Sequence, residues 1–283
     1  MVKLKKIITI AGKEVGEGCK TFIIAEAGIN HNGDIEVAKK HIDEAKKCGA
    51  DAVKFQTYIT EQRVAKDSPI FDILKKCEFD SVQTKELFDY AKKVGITFFS
   101  APFDEDSASV LIDMGVPLIK MTSFHVTHLK LVEKVAKAKI PVVMSRGMSN
   151  IEEIKKAISI FDKYDCPYCL MHCVSSYPLK EENANISIVK TMNKEFDCPV
   201  GYSDHTKGNR VAALAVAAGA TIIEKHFIHD KDFDGADKPI SADPKQMKEL
   251  VDEIRLVEKV MGDSEIRQLE CEKDILQYRK KSE

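Results

Sequence analysis

The amino-acid sequence predicts an α/β protein of the (β/α)8, or TIM-barrel, class with an N-terminal β-hairpin. Eight short apolar runs alternate with helical patterns, and continuously apolar strands that are each followed by a helix are typical of a covered parallel sheet. The 283 residues are close to the roughly 250 of a typical barrel. A doubly wound open sheet is the alternative, but the sequence lacks the GxGxxG turn that usually follows its first strand.

The predicted elements follow one another in a regular order. The chain begins with a hairpin, residues 7–10 and the stretch around Val15 on either side of an Ala-Gly-Lys turn, which we expect to close the bottom of the barrel. The predicted barrel strands are residues 22–27, 52–56, 97–101, 117–122, 141–145, 168–173, 199–202 and 221–225. The predicted helices are residues 35–48, 84–94, 105–114, 129–137, 151–161, 186–194, 209–218 and 244–260.

Residues that start and stop helices stand at the ends of these patterns. The expected N-caps are Asp104, Ser149 and Asp243, and the expected C-terminal glycines are Gly49, Gly95, Gly115 and Gly219. We therefore predict one domain over residues 1–262, hairpin and barrel together, followed by a charged C-terminal tail at 263–283.

Composition and charge favour a cytoplasmic protein that acts on small molecules. The formal net charge of −2 gives no electrostatic reason to expect nucleic acid or a membrane surface as a partner. No apolar stretch is long enough to cross a membrane, and the N-terminus lacks the apolar segment of an export signal. Cysteines within apolar runs, such as Cys169 and Cys173, fit reduced core thiols, and the lone CxxC of Cys166 and Cys169 is a weak indication of a zinc or redox site.

Two histidines end neighbouring predicted strands. His205 and His226 follow the last two strands, which a βαβ unit makes parallel neighbours. Two converging imidazoles could hold a divalent metal. The alternative, that both are ordinary polar residues at strand ends, stays open at this point.

Two lysines lie on apolar predicted strands. Lys54 and Lys120 are costly to bury unless an anion neutralises them, and with nearby serines they indicate a phosphate or carboxylate ligand. The alternative is an internal ion pair, for instance with Glu26 or Glu224. A metal beside an anion site suits a reaction in which a carbonyl is polarised while a phosphorylated partner attacks it.

Six motifs at predicted strand ends resemble the N-acetylneuraminate synthase family. They are AEAGINHNG (25–33), VKFQTY (53–58), FFSAPFD (98–104), HCVSSYP (172–178), GYSDHT (201–206) and EKHF (224–227). The resemblance covers about residues 20–262. It implies a barrel enzyme that condenses phosphoenolpyruvate with an amino-sugar aldehyde and releases phosphate. It also implies a divalent metal, usually manganese with Mg²⁺ or Co²⁺ as alternatives.

The resemblance assigns roles to individual residues. The implied metal ligands are His205 and His226. The implied phosphoenolpyruvate contacts are Lys54, Lys120, Ser123, Ser145 and Ser203, and the implied sugar-facing residues are Glu26, Gln56, Tyr177 and Asp237. We count Glu26 and Asp237 as catalytic.

The sequence departs from the family pattern at several site positions. The family's Ser-Gly-Glu after strand 4 is Ser123-Phe124-His125, so we count His125 as a catalytic candidate. Arg146 replaces a threonine and Ser175 an asparagine, and both are expected to bind substrate. The sequence also shows no C-terminal antifreeze-like domain, which in full-length members covers the partner's sugar site in a dimer. Either the lid is replaced or the acceptor differs, and a homodimer stays open.

These observations lead to one function and two alternatives. The leading hypothesis is a phosphoenolpyruvate-dependent synthase whose acceptor is N-acetylmannosamine-like or a related, anionic aldose. Arg146 and His125 would retune the site towards an anionic acceptor, or Arg146 would replace the lid's arginine. The alternatives are a metal-dependent aldolase or isomerase, which the two lysines disfavour, and a non-catalytic sugar-binding homologue, which the histidine pair disfavours.

Overall fold

Eight parallel strands close into a barrel in the computed structural model, which describes residues 6–280. A hairpin of β1 (Ile7–Ile10) and β2 (Lys13–Gly16) precedes the barrel. The barrel strands are β3 (Phe22–Gly28), β4 (Ala52–Thr57), β5 (Thr97–Pro102), β6 (Ile119–Met121), β7 (Val142–Ser145), β8 (Tyr168–His172), β9 (Val200–Asp204) and β10 (Ile222–His226). Closure comes from β10 pairing with β3, from Ile222 opposite Phe22 to His226 opposite Glu26. The predicted (β/α)8 class is confirmed.

Helices surround the barrel. Within residues 6–280 they are α1 (Ile35–Lys47), α2 (Thr60–Arg63), α3 (Phe71–Cys77), α4 (Ser81–Val94), α5 (Glu105–Met114), α6 (Leu129–Lys137), α7 (Ile151–Lys163), α8 (Ser187–Glu195), α9 (Arg210–Ala217) and α10 (Pro244–Met261). The sequence analysis missed α2 and α3, because helices this short show too little of the 3.6-residue repeat. Ser149 was the wrong N-cap for α7: Asn150 accepts from the backbone of Glu153, whose carboxylate accepts from the Asn150 N–H in return.

The inside of the barrel is apolar at its bottom and polar at its top. Alternate residues of a strand face the same side, so Ala52 and Lys54 both point inward on β4, as do Ile222 and Glu224 on β10. The apolar layer consists of Ile10, Val15, Phe22, Ile24, Ala52, Phe99, Leu118, Val143, Cys169, Met171 and Ile222. Since Ile10 and Val15 belong to the hairpin, the hairpin closes the bottom of the barrel as predicted.

A second apolar layer lies between the strands and the helices. On β3, Ile23 and Ala25 face outward and pack with Ala38 and Ile42 of α1. The residues of both layers are almost completely buried. This close packing fixes the positions of the strands that carry the polar side chains.

The chain beyond α10 lies on the surface. Residues 263–280 are nearly all exposed and include a 3₁₀ segment, Glu270–Tyr278. All eight cysteines fall within the described residues and are free thiols, and burial raises the pKa of Cys166 and of Cys169. None of the helices in the described part of the chain combines the length and the apolar character that a membrane crossing requires.

Candidate active site

The C-terminal ends of the barrel strands surround a pocket of about 240 Å³. Its lining residues are Glu26, Lys54, Gln56, Arg63, Phe103, Lys120, Thr122, Ser123, Phe124, Ser145, Cys173, Tyr177, Ser203, His205, Glu224, His226, Asp237 and Ile240. A larger groove of about 790 Å³ lies at the opposite end, near Cys19 and Thr221. We assign the site to the smaller pocket because titratable groups converge there, and because barrel enzymes work at this end.

Eleven of the fourteen predicted site residues line this pocket. They are Glu26, Lys54, Gln56, Lys120, Ser123, Ser145, Tyr177, Ser203, His205, His226 and Asp237. The three that do not are His125, Arg146 and Ser175. The barrel geometry explains the agreement, because most of the eleven are inward-facing residues near strand ends.

Four buried charges form the floor of the pocket. Lys54 Nζ lies 2.6 Å from Glu26 Oε2 and 3.9 Å from Glu224 Oε2. Lys120 Nζ lies 3.2 Å from Glu224 Oε2 and donates to Ser145 Oγ at 2.6 Å. The internal ion pairs that the sequence left as an alternative are therefore present. They coexist with serine hydroxyls, of which Ser145 contacts Lys120 and Ser203 contacts Glu224.

The two carboxylates of this network have different proton affinities. Burial, which Lys54 only partly offsets, raises the pKa of Glu26 to about 7. Burial also acts on Glu224, but the ammonium groups of Lys120 and Lys54 outweigh it and lower its pKa to about 2. Ser203 donates a further hydrogen bond to Glu224 Oε1 at 2.9 Å. Glu224 is thus a fixed negative charge, whereas Glu26 can gain or lose a proton near neutral pH.

The two predicted metal-binding histidines face one another across the pocket. Their ring centroids are 5.8 Å apart. His205 Nδ1 lies 2.7 Å from the Val174 carbonyl, which can only accept, so Nδ1 carries the proton and Nε2 keeps a free lone pair. His226 Nδ1 is buried without a hydrogen-bond partner among the described residues and lies 3.7 Å from Asp237 Oδ2.

These imidazoles fit the requirements of a metal ion. Burial lowers the pKa of both histidines, and the neutral form is the one that coordinates metals. The hydrogen bond from His205 to a carbonyl is the usual outer partner of a ligating imidazole. Within residues 6–280 no set of three or more histidines, cysteines or acidic residues is arranged to hold a metal. The chain would therefore supply two ligands, with the remaining positions open to substrate and water.

A buried ion pair positions the loop that carries His205. Lys225 Nζ lies 2.8 Å from Asp204 Oδ2 and also donates to the Thr206 carbonyl. Asp204 Oδ1 accepts from the Thr206 N–H at 3.0 Å and from its hydroxyl at 2.8 Å. The residues on both sides of His205 are thus tied to β10, the strand that ends in His226.

The three predicted residues outside the pocket have partners elsewhere. His125 Nδ1 lies 2.9 Å from Thr122 Oγ1, and its ring meets Phe103 edge-on. Arg146 donates to His172 Nδ1 at 3.0 Å from Nη2. Ser175 Oγ lies 3.0 Å from Ser123 Oγ. Each of the three touches a pocket residue or its neighbour, and none of them borders the pocket itself.

Gly147 allows the Ser123 and Ser175 hydroxyls to approach each other. Its φ is +37°, and a Cβ at this position would overlap the Ser123 side chain and come within 2.9 Å of Ser175 Oγ. Only glycine combines this backbone with so close a contact. Gly147 therefore shapes the part of the pocket around Ser123 more directly than Arg146 does.

Arg63 is a pocket residue that the sequence analysis did not single out. It ends α2, the short helix that follows β4. In the sequence Arg63 is a charged residue in a segment without a helix pattern, which is typical of an exposed loop. It also lies outside the motifs that resemble the family. Only the packing of Arg63 against Phe103, the residue after β5, reveals it.

Comparison with known proteins identifies the family. Residues 41–266 match the model described as the NeuB family. The chain belongs to the NeuB family. An N,N'-diacetyllegionaminic acid synthase of Legionella pneumophila is 39% identical over 89% of this chain and 76% of its own length. The N-acetylneuraminate-9-phosphate synthase of Homo sapiens is 36% identical over 92% of this chain and 77% of its own.

Solved structures agree with this membership. The chain is similar to an N-acetylneuraminic acid (sialic acid) synthetase of Leptospira borgpetersenii, in complex with citrate, with a TM-score of 0.94, 38% identity and 98% coverage of both chains. A spore coat polysaccharide biosynthesis protein of Bacillus subtilis matches with a TM-score of 0.81 and 33% identity, over 95% of this NeuB-family chain and 80% of the other. The chain is an enzyme of the sialic acid synthase type.

Replacing Lys225 by methionine should lower the free energy of unfolding by about 3–5 kcal/mol, because Asp204 would be left as a buried, unpaired charge. Urea denaturation measures this change. Lys245→Met is the control, since Lys245 is exposed and 4.0 Å from Glu249, and exposed pairs contribute about 0–1 kcal/mol. Equal effects of the two substitutions would contradict the role given to Lys225.

Proposed function

We propose that this enzyme condenses phosphoenolpyruvate with an acyclic sugar aldehyde to give a 2-keto-3-deoxy sugar acid and inorganic phosphate. The observation that carries the proposal is the convergence of two buried lysines and three serines, Ser123, Ser145 and Ser203, on a pocket that also holds a pair of neutral imidazoles. The lysines and serines suit the negative charge of phosphoenolpyruvate. The pair of imidazoles suits a metal ion that binds the aldehyde. The names of the relatives, which are synthases of sialic and legionaminic acids, support the same reaction class.

The lysine network can exchange its internal partners for a substrate anion. Lys120 already contacts Ser145, and Lys54 lies between the two carboxylates. When a trianionic substrate binds, its negative charge opposes the ionised form of the nearby Glu26. Because the pKa of Glu26 is already about 7, the carboxyl can take up a proton and release Lys54 to the ligand.

The opposite side of the pocket suits a polyhydroxylated acceptor. Glu26 Oε1 accepts from Gln56 Nε2 at 3.3 Å, and the Asp237 carboxylate stands beside them, with Oδ2 3.3 Å from the Ile29 N–H. The carboxylate and amide groups on this side of the pocket can bind sugar hydroxyls by hydrogen bonds. Tyr177, which is half-exposed, packs its ring 4.3 Å from that of His205.

We assign His205 and His226 as the ligands of a divalent metal, manganese first, with Mg²⁺ or Co²⁺ as alternatives. When bound, the metal supplies Lewis-acid polarisation of the aldehyde carbonyl. The chain's own residues orient the two substrates. In the reaction C3 of phosphoenolpyruvate forms a bond to the aldehyde carbon, water adds at C2, and the bond between C2 and the phosphate oxygen breaks. Protonated Glu26 provides the proton that the aldehyde oxygen takes up. The water that adds at C2 gives one proton back to Glu26, and its second proton leaves with the phosphate as the C2 carbonyl forms.

The free, buried thiols fit a reducing compartment, and we place the enzyme in the cytoplasm on this ground.

The proposal is tested by phosphate release from phosphoenolpyruvate in the presence of Mn²⁺ and a panel of aldoses, with the product identified by mass spectrometry. We expect phosphate and a 2-keto-3-deoxy acid in equal amounts. Aldol cleavage or isomerisation without phosphoenolpyruvate would instead identify a metal-dependent aldolase or isomerase. Sugar binding without any turnover would identify a binding protein.

His226→Ala should lose bound Mn²⁺ on dialysis and lose turnover, because one of two protein ligands is gone. Metal content measured by atomic emission checks this independently of activity. His128→Ala is the matched control, since His128 is exposed on the rim outside the pocket. Unchanged metal content in His226→Ala would refute the ligand assignment.

Lys120→Met should weaken phosphoenolpyruvate binding by about 10- to 100-fold, the loss of a charge-assisted contact. Isothermal titration calorimetry measures the affinity, and a melting curve verifies the fold. Lys130→Met, at an exposed position of α6, should bind as the parent does. If Lys120→Met also binds normally, the lysine serves only the internal ion pair.

A further inference from the structure

Arg63 is held rigidly at the rim of the pocket. Its guanidinium carbon lies 3.7 Å from the ring centroid of Phe103 and 4.5 Å from that of Tyr58. Its Nη1 donates to Gln56 Oε1 at 3.0 Å. Stacking on two aromatic rings orients the plane of the guanidinium and leaves its edge free to donate hydrogen bonds.

Unlike the two pocket lysines, this guanidinium has no carboxylate within ion-pair distance among the described residues, and Asp237 and Glu26 act on it only from farther away. Lys54 is paired with Glu26, and Lys120 with Glu224. Within the described chain, the bond to Gln56 is the only side-chain hydrogen bond of Arg63, and it forms no ion pair. A half-buried cation without a counter-ion costs free energy. The cost is offset when a ligand brings the missing anion.

The position of Arg63 associates it with the acceptor. Its hydrogen-bond partner Gln56 belongs to the group with Glu26 and Asp237, on β3, β4 and the loop after β10. Of the serines that we assign to phosphoenolpyruvate, Ser123 follows β6 and Ser145 ends β7, on the other side of the barrel, and Ser203 lies on β9, two strands from β3. An anion at Arg63 would therefore belong to the sugar aldehyde rather than to phosphoenolpyruvate.

The other two candidates for this role are engaged elsewhere. The His125 ring is fixed between Thr122 and Phe103, and Arg146 donates to His172. Neither borders the pocket. Of the three groups, only Arg63 presents unused donors to a bound acceptor.

We propose that Arg63 is a specificity-determining residue that binds an anionic group, phosphate or carboxylate, at the end of the acceptor remote from its aldehyde. The inference rests on the proposed condensation and deepens it by naming the acceptor class. In this proposal Arg63, rather than Arg146 or His125, is the residue that selects an acceptor by its charge.

The test compares three acceptors of matched skeleton: N-acetylmannosamine, its 6-phosphate and the corresponding uronic acid. Each is assayed with phosphoenolpyruvate and Mn²⁺ for the parent enzyme, Arg63→Leu and Arg63→Lys. We expect the parent to prefer one anionic acceptor, which tells phosphate from carboxylate. Arg63→Leu should lower kcat/KM for that acceptor by about 10- to 100-fold relative to kcat/KM for the neutral sugar. Arg63→Lys should recover only part of the loss, because lysine lacks the planar fork.

Two control variants separate this role from a general disturbance. Gln62→Leu changes the exposed neighbour on α2, which contacts Asp106, and should leave the ratio of anionic to neutral kcat/KM as it is. Arg146→Thr should change all three acceptors by one common factor. A parent preference for the neutral sugar, an equal loss on all acceptors in Arg63→Leu, or an unchanged ratio would each overturn the assignment while leaving the condensation intact.

A binding measurement keeps the two proposals distinguishable. If no acceptor supports phosphate release, the proposed condensation fails, and Arg63 is then judged by calorimetric titration with N-acetylmannosamine 6-phosphate and the uronic acid. Tighter binding of one of them to the parent than to Arg63→Leu supports an anion site. Equal or absent binding of both overturns it.

Discussion

The buried network of Lys54, Lys120, Glu26 and Glu224 is the constraint on which the rest of the site depends. Four charges at the centre of a barrel are tolerated only because each ammonium group lies within ion-pair distance of a carboxylate. Below them the apolar layer excludes water, and above them the pocket opens. The network is nearly balanced internally, so in the proposed reaction an anionic substrate would displace an internal partner, and the raised pKa of Glu26 makes it the partner to leave.

The chain forms this network by placing the inward-facing charged groups of the strands above the apolar layer. The inward face of each strand begins with apolar residues at the bottom of the barrel. The free-energy cost of burying charged groups is therefore confined to the layer above them. Close backbone approaches then bring the loops over that layer. Gly28, at φ +54° beside a register shift in β3, leaves room for the Asp237 carboxylate where any Cβ would collide with it. Gly147 does the same for Ser123 and Ser175. Glycine at these positions lets loops from different strands share one small pocket.

Some of the pocket residues are positioned by the barrel strands, and the others are positioned by the loops that follow the strands. The lysines, Glu224 and the two histidines lie on or directly after barrel strands, which hold them in a rigid frame. Arg63, Phe103 and Asp237 lie after the strands, on segments that can vary without disturbing the barrel. This division fits a family whose members are named for different sugar acids, because a rigid frame could serve the donor that we propose while the loops select the acceptor.

By itself the sequence determined the barrel, the hairpin at its bottom and most of the pocket. The reason is local: the apolar runs place Lys54 and Lys120 on strands, the motifs that resemble the family mark the strand ends, and strand ends converge in any closed barrel. Only the tertiary structure decided which loop residues reach the pocket. The positions of Arg63, His125 and Arg146 depend on how short helices and turns pack against neighbouring strands, and that packing is set by contacts between residues far apart in the chain. The stacking of Arg63 on Phe103, 40 positions later in the sequence, is such a contact.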